Sequence, residues 1–332
     1  MEVWRVRPDH SHKRSEGKRK QAACSEPTHA NRYKQQQWLF TEPERGVFNY
    51  TEGNIVTSKA RKAGMYLRCH ALVWHSQLAP WVEAKQDWTK DELRQVIVSH
   101  VTNVAGAWKG QCYAWDVLNE ALNEDGTYRE SVFYKVLGEE YITLAFKTAA
   151  KVDPKAKLYY NDYNLESPSP KTEGAQRIVR LLQKNKIRID GVGLQAHLVA
   201  ESRPTLDQHI DAIRGFANLG VEVALTELDI RLHTPANATN LAQQKEGYKN
   251  VSCLFPVSRS AMSKLTAIKV VGACVQVKGC IGVTIWDFYD PFSWVPAVFP
   301  GEGAPLLWFE DWSKHPAYDG VVEALRNKTN RC

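Results

Sequence analysis

The order of its apolar runs predicts an α/β chain folded as a (β/α)8 TIM barrel, and three observations carry that reading. Short strand-like runs alternate with segments of helical periodicity, their starts lie 46, 44, 35, 30 and 59 residues apart, and each run ends on polar side chains. Repeated β-α order requires parallel strands joined by helical crossovers. Spacings of this length suit a barrel better than an open doubly wound sheet, and no glycine-rich phosphate-binding turn follows the early strands.

In chain order the runs are "YLRCHALVW" (66–74), "CYAWDVLNE" (112–120), "AKLYYND" (156–162), "GVGLQAHL" (191–198), "VEVALTELDI" (221–230) and "CIGVTIWDF" (280–288). Between the first two, "TKDELRQVIVSHVTNVAGAW" spaces its apolar residues as a helix does and opens on Thr89 with acids in its first turn. The polar ends are His75 and Gln77, Asn119 and Glu120, Asn161 and Asp162, Gln195 and His197, Glu227 and Asp229, and Trp286. In a barrel of this kind the C-terminal strand ends form one face, the face that carries active sites. Six strands sending polar groups to one place is hard to explain as packing.

Composition narrows the function classes. With 332 residues, 43% of them apolar and 24% charged, the chain can bury a large core. Its formal net charge of +6 is concentrated in residues 1–34, where nine Lys or Arg face four acids, a balance of +5. The rest carries only +1, so the charge marks a solvated basic leader rather than a nucleic-acid surface. No apolar run approaches the roughly 20 residues that span a bilayer, and the first residues lack the apolar stretch of a secretory signal. Four N-x-S/T triplets, at Asn49, Asn237, Asn250 and Asn327, point towards export nonetheless. Seven cysteines are an odd number, which leaves at least one outside any intrachain pair.

Two carboxylates stand out, Glu120 and Glu227, each ending a strand. A lone strand-end Glu most often caps the following helix or meets solvent. Two of them on one barrel face, among Trp, His, Asn and Gln, fit glycoside hydrolysis, in which one carboxyl protonates the leaving oxygen while the other attacks the anomeric carbon. A retaining enzyme holds such a pair about 5 to 5.5 Å apart. His197 stands where it can donate to Glu227, with Asp229 orienting its ring, and the charge of Glu227 would help Glu120 keep its proton. No spacing of His, Cys and acids frames a metal site, so neither metal nor cofactor is expected.

"HALVWHSQLAPWV", "WDVLNEALNEDGTYRESVF", "LYYNDYNLE", "GVGLQAHL", "TELDIR", "IWDFYDPFSWVP" and "PAYDGVVEAL" resemble the fungal endo-1,4-β-xylanases of glycoside hydrolase family 10, from about Trp38 to about Leu325. The resemblance implies a secreted enzyme that cuts internal bonds of β-1,4-xylan by double displacement, with Glu120 as general acid/base and Glu227 as nucleophile. It further assigns His70, Trp74, Gln77, Asn119, Gln195, Trp286 and Trp294 to the sugars nearest the cleaved bond, with Asn119 on the 2-hydroxyl, while Asn161 and Tyr163 face the leaving-group side. Xylan is the expected partner of a monomer that binds neither nucleic acid nor membrane. Cys69 and Cys112 fall at similar height on consecutive strands, which makes a disulfide geometrically reasonable. Cys274 and Cys280 match a bridge of the fungal relatives.

Three departures accompany the likeness. The family begins with a strand, a helix and a second strand before its Trp-containing "TEP" motif, whereas here only "YKQQQWLFTEP" follows the basic leader, so the first strands are expected to be absent or altered. Lys34 and Gln37 replace the Asn and the Lys that the family places just before Trp38 for the distal sugar. The last inter-strand gap is 59 residues and shortens to 40 without Ser252 to Val270, a 19-residue insertion that reads as an unspliced intron. The expected organisation is a leader over 1–34, a catalytic barrel over 35–327 interrupted at 252–270, and a tail over 328–332. Finally, Asp287 replaces a Gly beside Trp286, where it would either repel the catalytic carboxylates or face solvent. Rival readings are a cellulase or mannanase on the same barrel, separable by polysaccharide assays, and a non-hydrolytic sugar-binding or misfolded product.

Overall fold

The computed structural model describes residues 36–249 and 270–326, together with the backbone of Val3–Arg5. The strands are β1 (Val3–Arg5), β2 (Leu67–Trp74), β3 (Cys112–Asn119), β4 (Lys157–Asp162), β5 (Gly191–Leu194), β6 (His197–Val199), β7 (Glu222–His233), β8 (Cys280–Ile285) and β9 (Glu302–Gly303). β2 to β8 follow the apolar runs of the sequence to within a few residues, except that the run over 191–198 is split into β5 and β6, while β1 and β9 match no predicted run. Ala196, at φ 62°, takes a left-handed backbone that breaks the strand there.

β2, β3, β4, β5, β7 and β8 pair in parallel, in that spatial order, and build the curved wall of the (β/α)8 architecture. β1 pairs antiparallel with β8, and among the described residues no pairing joins β1 to β2. The altered start expected from the sequence falls, apart from Val3–Arg5, outside the described residues. The leader apart from Val3–Arg5, residues 250–269 and the tail lie outside the described residues, and with them Cys24, Cys253, Cys332, Asn250, Asn327 and Lys34.

Alternation along β4 shows how sequence becomes layers. Leu158 and Tyr160 belong to the large core shared with the helices, whereas Tyr159 packs with Ala114 of β3 and Ala224 of β7 in a separate, smaller cluster. The helix Lys90–Ala107 covers the outer face with Leu93, Val96, Ile97, Val101 and Val104, all buried. Burial of each such side chain stabilises by about 1.5–3 kcal/mol. Thr89 caps that helix, accepting from the Glu92 amide while the Glu92 carboxylate accepts from the Thr89 amide, as the sequence predicts.

Two disulfides brace the wall. Cys69–Cys112 ties β2 to β3 with a Cα–Cα distance of 5.8 Å, and Cys274–Cys280 joins the helix Val270–Gln276 to β8. No described helix is long and apolar enough to cross a membrane.

Candidate active site

β3 delivers Asn119 and Glu120, β4 Asn161, the β5–β6 break Gln195 and His197, β7 Glu227 and Asp229, and β8 Trp286. Because these strands are parallel, the residues converge at one end of the wall. Asn161 and Glu227 stand at the centre of the cluster, and Gly193 makes room for them. A Cβ on Gly193 would come within 2.1 Å of the Asn161 Oδ1 and 2.7 Å of the Thr226 Cγ2, so only glycine lets that amide turn inward.

Glu227 is 4% exposed and compensated on both oxygens. Its Oε1 accepts from the Asn161 Nδ2 at 2.7 Å and its Oε2 from the His197 Nε2 at 3.2 Å. The His197 Nδ1 bonds the Asp229 Oδ2 at 2.8 Å, which also accepts the Trp294 Nε1–H at 2.8 Å. Burial disfavours charge on this imidazole, but Asp229 and then Glu227 outweigh it and lift its pKa to about 10. His197 is therefore a cation at neutral pH that donates from both ring nitrogens. His70 approaches from β2, its Nδ1 3.0 Å from the Asp116 Oδ2 and 3.9 Å from the Glu227 Oε1. Its pKa is raised as well, since Asp116 and Glu227 together overcome burial.

Glu120 has different company. Its Oε2 accepts the Trp74 Nε1–H at 2.8 Å and its Oε1 the Gln195 Nε2–H at 3.0 Å, both neutral donors. The backbone at Glu120 is left-handed, φ 53°, which turns the side chain out of the strand. Asn119 lies between the two carboxylates, its Oδ1 receiving the Asn161 amide at 2.9 Å and the Gln195 amide at 3.3 Å. One continuous chain of amides, Gln195, Asn119 and Asn161, therefore spans Glu120 and Glu227.

Trp286 and Trp294 present ring edges and faces around this cluster. Trp286 lies in T-shaped contact with His70 at 5.8 Å and with His197 at 6.4 Å, and Trp294 with His197 at 4.9 Å. Trp74 contacts His70 edge-on at 5.8 Å. Gln77 sits just past β2 with a left-handed backbone, φ 54°, and its carbonyl accepts the Leu39 amide at 3.0 Å, which ties the strand end to the Trp38–Thr41 helix. Tyr163 is half-buried, with the Lys171 Nζ 3.4 Å from its ring centroid.

The structure sharpens two sequence expectations. Asn161 is fully buried, and the Thr226 Oγ1 donates to its Oδ1 at 2.6 Å while its Nδ2 serves Asn119 and Glu227. It braces Glu227 directly and Glu120 through Asn119 and Gln195. Asp287 is 5% exposed at φ 72°, so it does not face solvent, and its left-handed backbone explains why glycine suits that position.

Sequence reading passed over three participants. Asp116 joins Arg68 to His70, Thr226 orients Asn161, and Arg129 holds the Glu120 carbonyl at 3.0 Å. Asp116 gave one signal, an acid inside an apolar strand. Among the described residues no group of three or more His, Cys, Asp or Glu is placed to hold a metal ion.

The chain matches the model of glycosyl hydrolase family 10 over residues 7–324, upstream of Trp38 as well as beyond it. It is 74% identical over 296 residues to endo-1,4-beta-xylanase A of Humicola insolens, covering 89% of this chain and 73% of that protein. Endo-1,4-beta-xylanase A of Fusarium oxysporum f. sp. lycopersici is 44% identical over 298 residues, with 88% and 85% covered. Among solved structures, the xylanase of Bispora sp. MEY-1 with xylobiose superposes with a TM-score of 0.78 at 39% identity, covering 86% of this chain and 84% of that one. The Penicillium canescens endo-1,4-beta-xylanase XylE gives 0.81 at 38% identity, with 91% and 85% covered.

Proposed function

Because the chain belongs to glycosyl hydrolase family 10, we propose that it is a retaining endo-1,4-β-xylanase acting on internal bonds of β-1,4-xylan. The observation that carries this reading is the amide chain from Glu120 through Gln195, Asn119 and Asn161 to Glu227, which locks two carboxylates with different partners into one cluster.

In the first step Glu227 attacks the anomeric carbon while Glu120 gives its proton to the departing glycosidic oxygen. The His197 cation and the Asn161 amide keep the Glu227 carboxylate in place without bonding to the sugar. In the second step a water gives its proton to Glu120 and displaces Glu227 from the anomeric carbon, so configuration is retained. Asn119 contacts the 2-hydroxyl of the reacting sugar, a bond that strengthens in the transition state. Trp74, Trp286 and Trp294 offer apolar surface to sugar rings beside His70, Gln77 and Gln195. The two disulfides and the family's activity on a plant polymer fit an extracellular enzyme.

The test is proton NMR of xylan digestion, with barley β-glucan and mannan as comparison substrates. The β-anomer of xylo-oligosaccharides should form first and mutarotate later, and Glu227→Ala should release nothing. Initial α-anomer, or faster release from glucan or mannan, would overturn the assignment. A version without residues 252–270 run in parallel reads out whether that segment is foreign to the barrel; activity lost with its removal would refute that.

A further inference from the structure

Arg129 belongs to neither carboxylate's set of donors, yet it grips the backbone of Glu120. Its Nε donates to the Glu120 carbonyl at 3.0 Å, and its Nη2 donates to the Tyr163 hydroxyl. On the other side of the same residue, the Glu120 amide donates to the Asn161 carbonyl at 2.9 Å, continuing the β3–β4 ladder. Glu120 is thus held by β4 at its amide and by Arg129 at its carbonyl. Between the two grips its φ is 53°, a left-handed conformation disfavoured for any residue with a Cβ. Such a backbone persists only where its surroundings over-determine it. The rest of the loop supports the grip, because the Arg129 amide donates to the Ala121 carbonyl at 2.8 Å.

We propose that Arg129 is a positioning residue for the general acid: its guanidinium fixes the left-handed turn that aims the Glu120 carboxyl and holds Tyr163 in register with it. This rests on the reading of Glu120 as acid/base. A planar fork suits the task, since two N–H groups in fixed geometry serve two acceptors on different strand ends, which a lysine ammonium cannot reproduce.

The role predicts a dependence on the leaving group that a merely structural arginine would not produce. Departure of phenol or of a sugar needs the proton of Glu120, whereas 2,4-dinitrophenolate departs without it. The value of kcat/KM reports glycosylation alone, so it isolates the acid step from the later base step. The experiment compares wild type, Arg129→Met and Arg129→Lys on phenyl and 2,4-dinitrophenyl β-xylobioside, with thermal unfolding as a check on folding.

Arg129→Met should lose about 10²-fold in kcat/KM on the phenyl substrate, the scale of an ångström-sized misplacement, and less than about threefold on the dinitrophenyl one. Arg129→Lys should fall between, about tenfold down on the phenyl substrate alone. Equal losses on both substrates, no loss on either, or full activity in the lysine variant would overturn the positioning role. If Arg129→Met does not fold, the lysine variant decides by the same criterion. Wild-type inactivity on both substrates would instead refute the glycosidase reading, and the role of Arg129 with it.

Discussion

The two carboxylates sit in one amide-linked cluster, but they keep different company. Glu227 is buried against the His197 cation and within 3.9 Å of His70, while Glu120 is only partly buried and receives neutral N–H groups from Trp74 and Gln195. A fixed cation suits a group that must carry negative charge up to the moment it attacks. Neutral donors suit a group that must gain and lose a proton in each cycle, because they can be exchanged for substrate without leaving a buried charge unpaired. Strain follows the same division. Glu120 has a left-handed backbone, whereas Glu227 keeps an ordinary φ inside β7, where the pairing with β8 shifts register between Leu225 and Leu228. One fold therefore suits the same side chain to the two proposed roles, nucleophile and acid/base, by the kind of partner it supplies.

The largest effect should come from removing the group on the charged flank. Glu227→Gln should lower kcat by about 10⁴-fold or more on every substrate, because no other nucleophile stands in its place. Glu120→Gln should cost about 10²–10⁴-fold on xylan. On 2,4-dinitrophenyl β-xylobioside its glycosylation step should survive, and added azide should intercept the glycosyl-enzyme as the β-xylobiosyl azide. Steady-state kinetics with and without azide separate the two variants. A Glu120 variant that ignored both the leaving group and azide would break the comparison.

Smaller effects should appear in stability against pH, in a different window for each flank. The pKa of His197 is raised from 6.5 to about 10, so its contribution is complete below about 6.5 and lost as pH rises through 10. Asp162, next to the Glu120 flank, is a second case. Burial lifts its carboxyl from 3.8 to about 7 against the opposing pull of Lys171 and Tyr160, and its contribution is lost as pH rises from about 4 through 7. At 1.36 kcal/mol per unit, each is worth on the order of a few kcal/mol. Denaturant unfolding from pH 4 to 10 should show Asp162→Asn flattening only the lower half of the curve and His197→Gln only the upper half. Flattening in the wrong half would show that the two flanks are electrostatically one.

Much of this division was legible in the sequence, and for a physical reason. Period-2 apolar runs that end in Asn-Glu or Glu-Leu-Asp place carboxylates at strand ends whatever the surrounding helices do. The role expected of Glu227 pairs His197 with Asp229, and β6 against β7 sets them directly opposite each other. What stayed hidden depends on which way a side chain turns. Nothing in "LYYND" tells that Asn161 points between Asn119 and Glu227, because that direction is set by the absence of a Cβ on Gly193, one strand away. Arg129 lies in a loop, where periodicity carries no information, and its partners come from β3 and the end of β4. The antiparallel pairing of β1 with β8 was not legible, since three residues are too few to carry a pattern.

The finest test of the charged flank concerns its outermost member. Asp229 is fully buried, its Oδ2 carries both the His197 and the Trp294 bonds, and among the described residues nothing donates to its Oδ1. Its orientation therefore rests on two N–H groups. Trp294→Phe removes one of them and keeps an aromatic ring beside His197. The loss of one hydrogen bond to a charged acceptor costs about 1.5 kcal/mol, which is about tenfold in kcat/KM if all of it reaches the transition state. Because His197 still holds Asp229, most of that loss should fall on KM, with kcat changed by less than about threefold. Michaelis kinetics on xylohexaose distinguish the outcomes. A collapse of kcat would mean that Trp294 orients the imidazole behind Glu227 and does more than offer the sugar a surface, so the charged flank would extend one residue further than its carboxylates.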